Sequence, residues 1–201
     1  FRIDHCHHTA VTAAEITQSR RFFGTGGTDS HVRLWDVRTR EMLVHFAHHT
    51  NAISAIKILP PATHIYTASI DRSVCLLDIG KESLLTRLTQ FESSVTGIDI
   101  HGDFLYSVTQ DGHISKFCPS QSTAPISTFK DHEMTSISVD PDGRKAVVGH
   151  EDGQVSIWDL DSMQKLSSFI VHSGSTAATK FFSSSEAMTA GTDGGIATLA
   201  M

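Results

Sequence analysis

The stretch Gly26-Gly27-Thr28-Asp29-Ser30-His31-Val32-Arg33-Leu34-Trp35-Asp36 decides the fold, because its main features recur along the chain. An aspartate is followed six residues later by a large apolar residue, and Asp152-Gly153-Gln154-Val155-Ser156-Ile157-Trp158-Asp159 repeats this arrangement. The aspartate returns about every 41 residues, as Asp29, Asp71, Asp111, Asp152 and Asp193. The apolar residues that follow are Trp35, Leu77, Phe117, Trp158 and Leu199. One supersecondary unit is therefore repeated through the chain.

The fourth repeat shows the internal structure of one unit. Residues 135–139 and 154–158 alternate polar and apolar side chains, which is typical of strands with one face in a core. Pro141-Asp142-Gly143 and Asp152-Gly153 are turn sequences, because proline presets φ and glycine permits positive φ. The predicted strands of this repeat are residues 135–139, 145–149, 154–158 and 165–171.

We therefore predict an all-β chain with almost no helix. Four-stranded repeats of this length form β-propellers, because neighbouring blades cover each other's faces. We expect about five four-stranded blades in a single domain that spans residues 1–201. The repeats are assigned approximately to residues 1–38, 39–80, 81–119, 120–161 and 162–201.

Composition and charge argue against several classes of protein. The chain has 16 basic and 22 acidic side chains and a net charge of −6, which opposes direct nucleic-acid binding. No apolar run is long enough for a transmembrane segment. The three distant cysteines and the absence of a glycosylation sequon favour a cytoplasmic protein. Because the chain does not begin with methionine, we expect a fragment of a larger multidomain chain or complex.

At this point the chain resembles the WD40 family, and the two stretches quoted above carry the resemblance over all 201 residues. In that family a histidine, a serine or threonine, the turn aspartate and a tryptophan form one structural network in each blade. The resemblance implies these sets in chain order: His8, Thr25, Asp29 and Trp35; His49, Thr67 and Asp71; Ser107 and Asp111; His132, Asp152 and Trp158; His172, Thr189 and Asp193.

Only the first of these sets is complete. Leu77, Phe117 and Leu199 replace the tryptophan in three repeats. Val148 replaces the hydroxyl in the fourth repeat, and Phe91 stands near the histidine position in the third. We therefore expect the third blade to depend most on apolar packing.

The number of repeats raises the question of ring closure. The WD40 resemblance implies seven blades more often than five, so we expect an incomplete ring whose other blades come from sequence outside this chain. A five-bladed ring is the alternative. Phe1-Arg2-Ile3 is a candidate outer strand that could pair with the last blade.

Two groups of histidines suggest a metal site, namely His5-Cys6-His7-His8 and His45 with His48-His49. Neither group has the ligand spacing of a zinc site, so we expect no metal and no cofactor. The histidine, hydroxyl and aspartate sets also look catalytic. Because they recur once per repeat, we interpret them as fold elements and expect no enzyme activity.

The residues that precede the turn aspartates are expected to line a rim that binds partners: Thr28, Ile70, Gln110, Glu151 and Thr192. Arg33, Arg38, Arg40 and Lys57 are candidates for another face. We expect a scaffold that binds other proteins or peptides. One alternative is the propeller of a BEACH-type membrane-trafficking or signalling protein, which residues 65–69 with Asp71, 104–107, 172–174 and 191–194 resemble. The other is a propeller-based hydrolase or lyase that uses a central channel.

Overall fold

The computed structural model describes residues 6–200, and these residues form nineteen β-strands in five antiparallel sheets. Within this range there is no helix, and so none that could cross a membrane. The chain divides into two compact units, residues 1–95 and 96–201.

The first unit contains two four-stranded meanders in which each strand pairs with the next. The first sheet consists of β1 (Val11–Ile16), β2 (Phe22–Gly27), β3 (Val32–Asp36) and β4 (Met42–Phe46). The second sheet consists of β5 (Ile53–Leu59), β6 (His64–Ser69), β7 (Ser73–Asp78) and β8 (Ser83–Leu88).

The second unit contains the other three sheets, apart from Val95 at the start of β9. The third sheet consists of β9 (Val95–His101), β10 (Phe104–Thr109), β11 (His113–Phe117) and β12 (Ser127–Lys130). The fourth consists of β13 (Met134–Val139), β14 (Lys145–His150), β15 (Gln154–Asp159) and β16 (Gln164–Ile170). The fifth consists of β17 (Thr176–Ser183), β18 (Glu186–Gly191) and β19 (Ile196–Ala200).

The expected all-β fold of five repeated sheets is confirmed, and the predicted strands of the fourth repeat agree with the structure to within one residue. One detail is corrected. Among the described residues the fifth sheet has three strands, β17, β18 and β19, where four were expected. The fourth strand of each complete sheet lies in the sequence range assigned to the next repeat, as β4 does in 39–80. The candidate outer strand Phe1-Arg2-Ile3 lies outside the described residues.

The cores lie between successive sheets within each unit. In the first unit, Leu34 and Val44 of the first sheet pack with Ile56 and Ile65 of the second. A Cβ atom at Gly26 would lie 2.5 Å from Ile53 Cγ2, so only glycine permits this approach of β2 to β5. Burying one such aliphatic side chain contributes about 2 kcal/mol, so these cores are the main source of stability.

The first strand of each sheet is here called its inner strand. A hydroxyl near the start of an inner strand links neighbouring sheets within each unit. Thr12 is the extra residue where β1 shifts register against β2, and its Oγ1 donates to Ile53 O at 2.5 Å. Thr135 occupies the same bulge in β13 and donates to Thr176 O at 2.5 Å. Ala177 occupies the bulge of β17 and has no hydroxyl. The sequence analysis did not identify this feature.

Candidate functional site

The first sheet holds a buried polar network behind its β2–β3 turn. Trp35 Nε1 donates to Thr25 Oγ1 at 3.0 Å, and Thr25 Oγ1 lies 2.9 Å from His7 Nε2. His7 Nδ1 lies 2.8 Å from Asp29 Oδ1. Gly27 is required beneath the imidazole, because a Cβ atom there would lie 2.6 Å from His7 Nδ1. The network ties β2, β3 and the segment before β1 together.

This arrangement corrects the assignment of His8, whose side chain is exposed. The network histidine is His7, which precedes Thr25 by 18 residues and Asp29 by 22. His49 has the same two separations from Thr67 and Asp71 in the second sheet. Of the two neighbouring histidines only His7 is buried, so only His7 enters the network.

Arg33 is an additional member of the first network. Its Nη1 donates to Asp29 Oδ2 at 2.9 Å, and the residue is 9% exposed. Burial of Asp29 would by itself raise its pKa, but hydrogen bonds from His7 and Arg33 outweigh burial and hold the pKa well below its usual range. The carboxylate therefore remains charged and anchors two cationic or polar partners.

In the second sheet the predicted residues come together. His49 Nδ1 lies 2.9 Å from Asp71 Oδ2, and His49 Nε2 lies 2.9 Å from Thr67 Oγ1. Because a carboxylate can only accept, Nδ1 carries the proton and Nε2 accepts from the threonine hydroxyl. The backbone N–H of Thr50 also donates to Asp71 Oδ2, at 3.0 Å. Leu77 fills the tryptophan position and is fully buried.

The third sheet has no equivalent chain of hydrogen bonds within the described residues. Ser107 is fully buried, and its Oγ has no hydrogen-bond partner there. Asp111 instead accepts from Thr109 Oγ1 at 2.6 Å and from His113 Nδ1 at 2.9 Å, both near its own turn. Phe91 and Phe117 are buried in place of histidine and tryptophan. Apolar side chains thus occupy the positions of polar ones.

The fourth sheet places its hydroxyl on a different strand from the one expected. Ser156 on β15 lies directly opposite Val148 on β14. Its Oγ accepts from Trp158 Nε1 at 2.9 Å and lies 2.6 Å from His150 Nε2. The sequence analysis named Val148 as a missing hydroxyl but did not find Ser156 or His150. Either member of an opposed pair can supply the group, because both side chains lie on the same face.

His132 is therefore not the histidine that binds the hydroxyl. His150 stands two residues before Asp152, where the first sheet has Gly27, and its imidazole fills the space that His7 occupies there. His132 stacks against His150 with ring centroids 3.9 Å apart. Its Nδ1 donates to Asp131 Oδ1 at 2.9 Å, and its Nε2 lies 3.5 Å from Asp152 Oδ1.

Asp131, His132 and His150 have potential metal-ligand atoms within 4.8 Å of one another. Their geometry does not suit a transition metal. The two rings are inclined by only 18°, so their in-plane lone pairs lie in two stacked, nearly parallel planes and do not converge on one ion. Asp131 Oδ2 is also paired with Lys165 Nζ at 2.7 Å. We interpret the cluster as an internal hydrogen-bond and stacking arrangement.

In the fifth sheet His172 joins Thr189 and Asp193. His172 Nε2 lies 2.9 Å from Thr189 Oγ1, and Nδ1 lies 3.3 Å from Asp193 Oδ1. The backbone N–H groups of Ser173 and Gly195 donate to the Asp193 carboxylate at 2.9 Å each. These two backbone hydrogen bonds lower the pKa of Asp193, and the one from Gly195 contributes more.

The five predicted rim residues are all exposed: Thr28, Ile70, Gln110, Glu151 and Thr192. In the first unit the N–H groups of Thr28 and Ile70 donate to Ala10 O at 2.9 Å and Ala52 O at 3.1 Å. In the second unit those of Glu151 and Thr192 donate to Glu133 O at 3.2 Å and Ser175 O at 2.9 Å. Four rim positions are thus fixed at the backbone while their side chains face solvent.

A cavity of about 420 Å³ lies on the first sheet, lined by Cys6, His8, Arg33, Trp35, Met42 and His45. Arg33 already donates to Asp29 inside the network, so it does not belong to a second binding face. Lys57 Nζ lies 3.8 Å from Glu15 Oε1, which also removes it from such a face. Arg38 and Arg40 are exposed at the β3–β4 turn.

Known proteins share this sequence pattern and fold. Residues 2–36, 40–78 and 123–159 match the model of the WD40 family, described as WD domain, G-beta repeat. Pre-mRNA-processing factor 19 of Mus musculus is 28% identical over 163 residues, which cover 78% of this chain and 32% of that protein. The U3 snoRNP-associated protein-like EMB2271 of Arabidopsis thaliana is 24% identical over 168 residues, 83% of this chain and 34% of that protein.

The solved structure of U3-55K has the same fold. It superposes with a TM-score of 0.88 at 15% identity, over 96% of this chain and 62% of that one. The chain spans about a third of the length of the two curated relatives named above. Their names describe processing and ribonucleoprotein factors, and they give no support to a BEACH-type protein.

Proposed function

Because the chain belongs to the WD40 family of WD domain, G-beta repeat proteins, we propose that it is a non-catalytic scaffold that binds partner proteins or peptides at its rim residues. The family membership supports a binding role. The named relatives support it too, since neither name describes a catalytic activity. A hydrolase or lyase activity has no such support.

The exposure of Ile70 on a fixed backbone is the observation that carries this proposal. Its side chain is 45% exposed, while its N–H is held by Ala52 O. The next residue, Asp71, is held from behind by His49 and Ser73. A branched apolar side chain on a rigid turn loses little entropy on binding, which suits it to anchor a peptide.

The relatives also suggest a setting. One is named for pre-mRNA processing and the other for association with the U3 snoRNP. We propose that the scaffold serves such a ribonucleoprotein assembly as part of a larger chain, inside the nucleus. The cysteine content and the missing sequon, which led us to expect the cytoplasm, fit either compartment. Contact with partner proteins and no direct contact with nucleic acid remains our expectation.

Affinity purification of the full-length protein from its own cells tests the proposal. Ile70→Arg should lose proteins that the wild type retains. Leu85→Arg is the matched control, because Leu85 is 44% exposed on β8 and away from the rim. Treatment with ribonuclease should leave the recovered proteins bound. Identical recovery by Ile70→Arg and wild type, or loss of all partners with ribonuclease, would argue against a protein-binding rim.

A further inference from the structure

Four exposed arginines lie together at the end of the first sheet opposite its β2–β3 turn. Arg20 and Arg21 belong to the β1–β2 turn, and Arg38 and Arg40 belong to the β3–β4 turn. In a meander these two turns share one end. The N–H of Val37 donates to Arg21 O at 2.8 Å, which holds the turns side by side.

The acidic residues at this end are fewer than the arginines. Asp36 is buried, and its Oδ1 accepts from the N–H groups of Arg38 at 2.7 Å and Thr39 at 2.9 Å. Its Oδ2 lies 3.7 Å from Arg21 Nε, although the Arg21 side chain remains 67% exposed. Glu41 is the only exposed acid in these two turns. The described residues of these two turns and of the end of β3 thus carry four arginines and two carboxylates, one of which is buried.

At the corresponding ends of the second and fourth sheets, acidic residues outnumber lysines and arginines. In the second sheet Lys81 faces Asp78 at 3.7 Å and is followed by Glu82. In the fourth sheet Arg144 shares its turn with Asp140 and Asp142. An arginine surplus on a chain of net charge −6 is therefore confined to one end of one sheet. Such a patch attracts an anionic partner at short range.

Apolar side chains border the arginines. Ile16 ends β1 and is 55% exposed, while Met42 and Leu43 begin β4 and are 49% and 43% exposed. Arg21 lies over the Phe22 ring, 4.9 Å from its centroid, and thereby covers the aromatic face closest to the patch. Within residues 6–200 the surface offers cations and aliphatic groups but no open ring for stacking a base, which favours an acidic peptide over single-stranded RNA.

We propose that this arginine end docks an acidic segment of a partner protein that also carries aliphatic residues. The proposal rests on the scaffold role and adds a second surface to it, remote from the rim. Guanidinium groups pair with carboxylates through two parallel hydrogen bonds, and the aliphatic border accepts leucine or isoleucine side chains.

Fluorescence anisotropy of the purified chain with a labelled peptide of alternating glutamate and leucine tests this proposal. The fourfold variant Arg20→Gln, Arg21→Gln, Arg38→Gln, Arg40→Gln should weaken binding about tenfold or more. The control Lys81→Gln, Lys130→Gln, Arg144→Gln, Lys180→Gln removes as many exposed positive charges elsewhere and should change binding about twofold at most. Ile70→Arg should leave it unchanged, so failure of the rim and failure of this surface are distinguishable.

Three results would overturn the proposal. The first is an equal loss of binding in both fourfold variants, which would reflect net charge alone. The second is tighter binding of labelled oligouridine than of the peptide through the same arginines. The third is no peptide binding by the wild-type chain at low salt, a measurement that needs no variant. Unchanged melting temperatures show that the variants are folded, and weaker wild-type binding at higher salt supports the electrostatic contact.

Discussion

The first and fourth sheets solve the same problem with different residues. Each must satisfy a buried tryptophan N–H and a buried imidazole through one hydroxyl. Thr25 on β2 does this in the first sheet, and Ser156 on β15 does it in the fourth. The residues opposite these hydroxyls are Arg33 and Val148. The fold therefore needs a hydroxyl at this place on the sheet face, and either strand can provide it.

The turn aspartates of these two sheets differ as a result. The Asp29 side chain is 8% exposed and binds His7 and Arg33, so it belongs to the network. The Asp152 side chain is 47% exposed, and its hydrogen bonds run to Gln154 in its own turn. The fourth network is complete without its aspartate.

Replacement of the turn aspartate should give the largest difference in stability between the first and the fourth sheet. Asp29→Ala leaves Arg33 buried without its carboxylate and should lower the free energy of unfolding by about 3 kcal/mol. Asp152→Ala should cost less than about 1 kcal/mol, because its contacts are exposed. Urea unfolding of both variants measures the difference. Equal losses would mean that the two aspartates have the same role and would remove the distinction between the sheets.

Removal of the network hydroxyl in the fourth sheet should cause the next largest loss of stability. Ser156→Ala leaves Trp158 Nε1 and His150 Nε2 without a hydrogen-bond partner and should cost about 2 kcal/mol. Val148→Thr in the same chain restores a hydroxyl on the opposite strand and should recover about 1 kcal/mol. The control Val148→Thr alone should be destabilising. If urea unfolds the double variant at no higher concentration than Ser156→Ala, the two strands are not interchangeable.

The sequence alone predicts the sheets and turns because they follow from local patterns. The turn aspartates recur at a nearly constant spacing, and alternation defines strands such as residues 154–158. The networks are less predictable. The choice of His7 over His8 depends on which side of the segment faces the sheet, although the separation of 22 residues between His49 and Asp71 indicates it.

Other members of the networks could not be read from spacing, because they depend on contacts across strands. Ser156 acts only because it lies opposite Val148, and Arg33 only because its side chain on β3 reaches back to Asp29 in the β2–β3 turn. A histidine at position 150, where other repeats have Gly27 or Gly191, is a visible departure in the sequence. Its meaning requires knowing that those glycines leave room for an imidazole ring.

His150 should make stability depend on pH, and this effect should be smaller than those of the substitutions above. Burial, followed by the charge on His132, lowers the pKa of His150, while Asp131 and the Glu133 carbonyl partly oppose this. The unfolded chain therefore binds a proton below about pH 6.5 that the folded chain does not. The free energy of unfolding should fall as pH decreases from about 7 to about 5.

Urea unfolding across this pH range measures that slope, and His150→Gln should reduce it. The free energy of unfolding that the wild type loses through His150 between about pH 7 and about pH 5 should be smaller than the loss caused by Ser156→Ala. A slope that is the same in wild type and His150→Gln would show that this imidazole does not resist protonation.

Removal of the corresponding hydroxyl in the third sheet should have the smallest effect on stability. It has a serine on both opposed positions, Ser107 and Ser115, and Ser115 Oγ lies 3.0 Å from Thr128 Oγ1. Ser107→Ala removes a buried hydroxyl that has no partner among the described residues, so stability should change by less than about 0.5 kcal/mol or increase. Thermal unfolding should separate this variant from Ser115→Ala, which breaks a hydrogen bond. A marked destabilisation by Ser107→Ala would reveal an essential contact.

The hydroxyls of Thr12 and Thr135 have a consequence for how such a chain can change in length. Each sets the distance to the following inner strand through one bond that involves neither the turns nor the outer strands. Insertions in the turn between β3 and β4, which spans residues 37–41, should therefore leave the spacing of β1 and β5 unchanged. The outer strand and its turns are open to variation in length, and the contact between Thr12 and Ile53 is not.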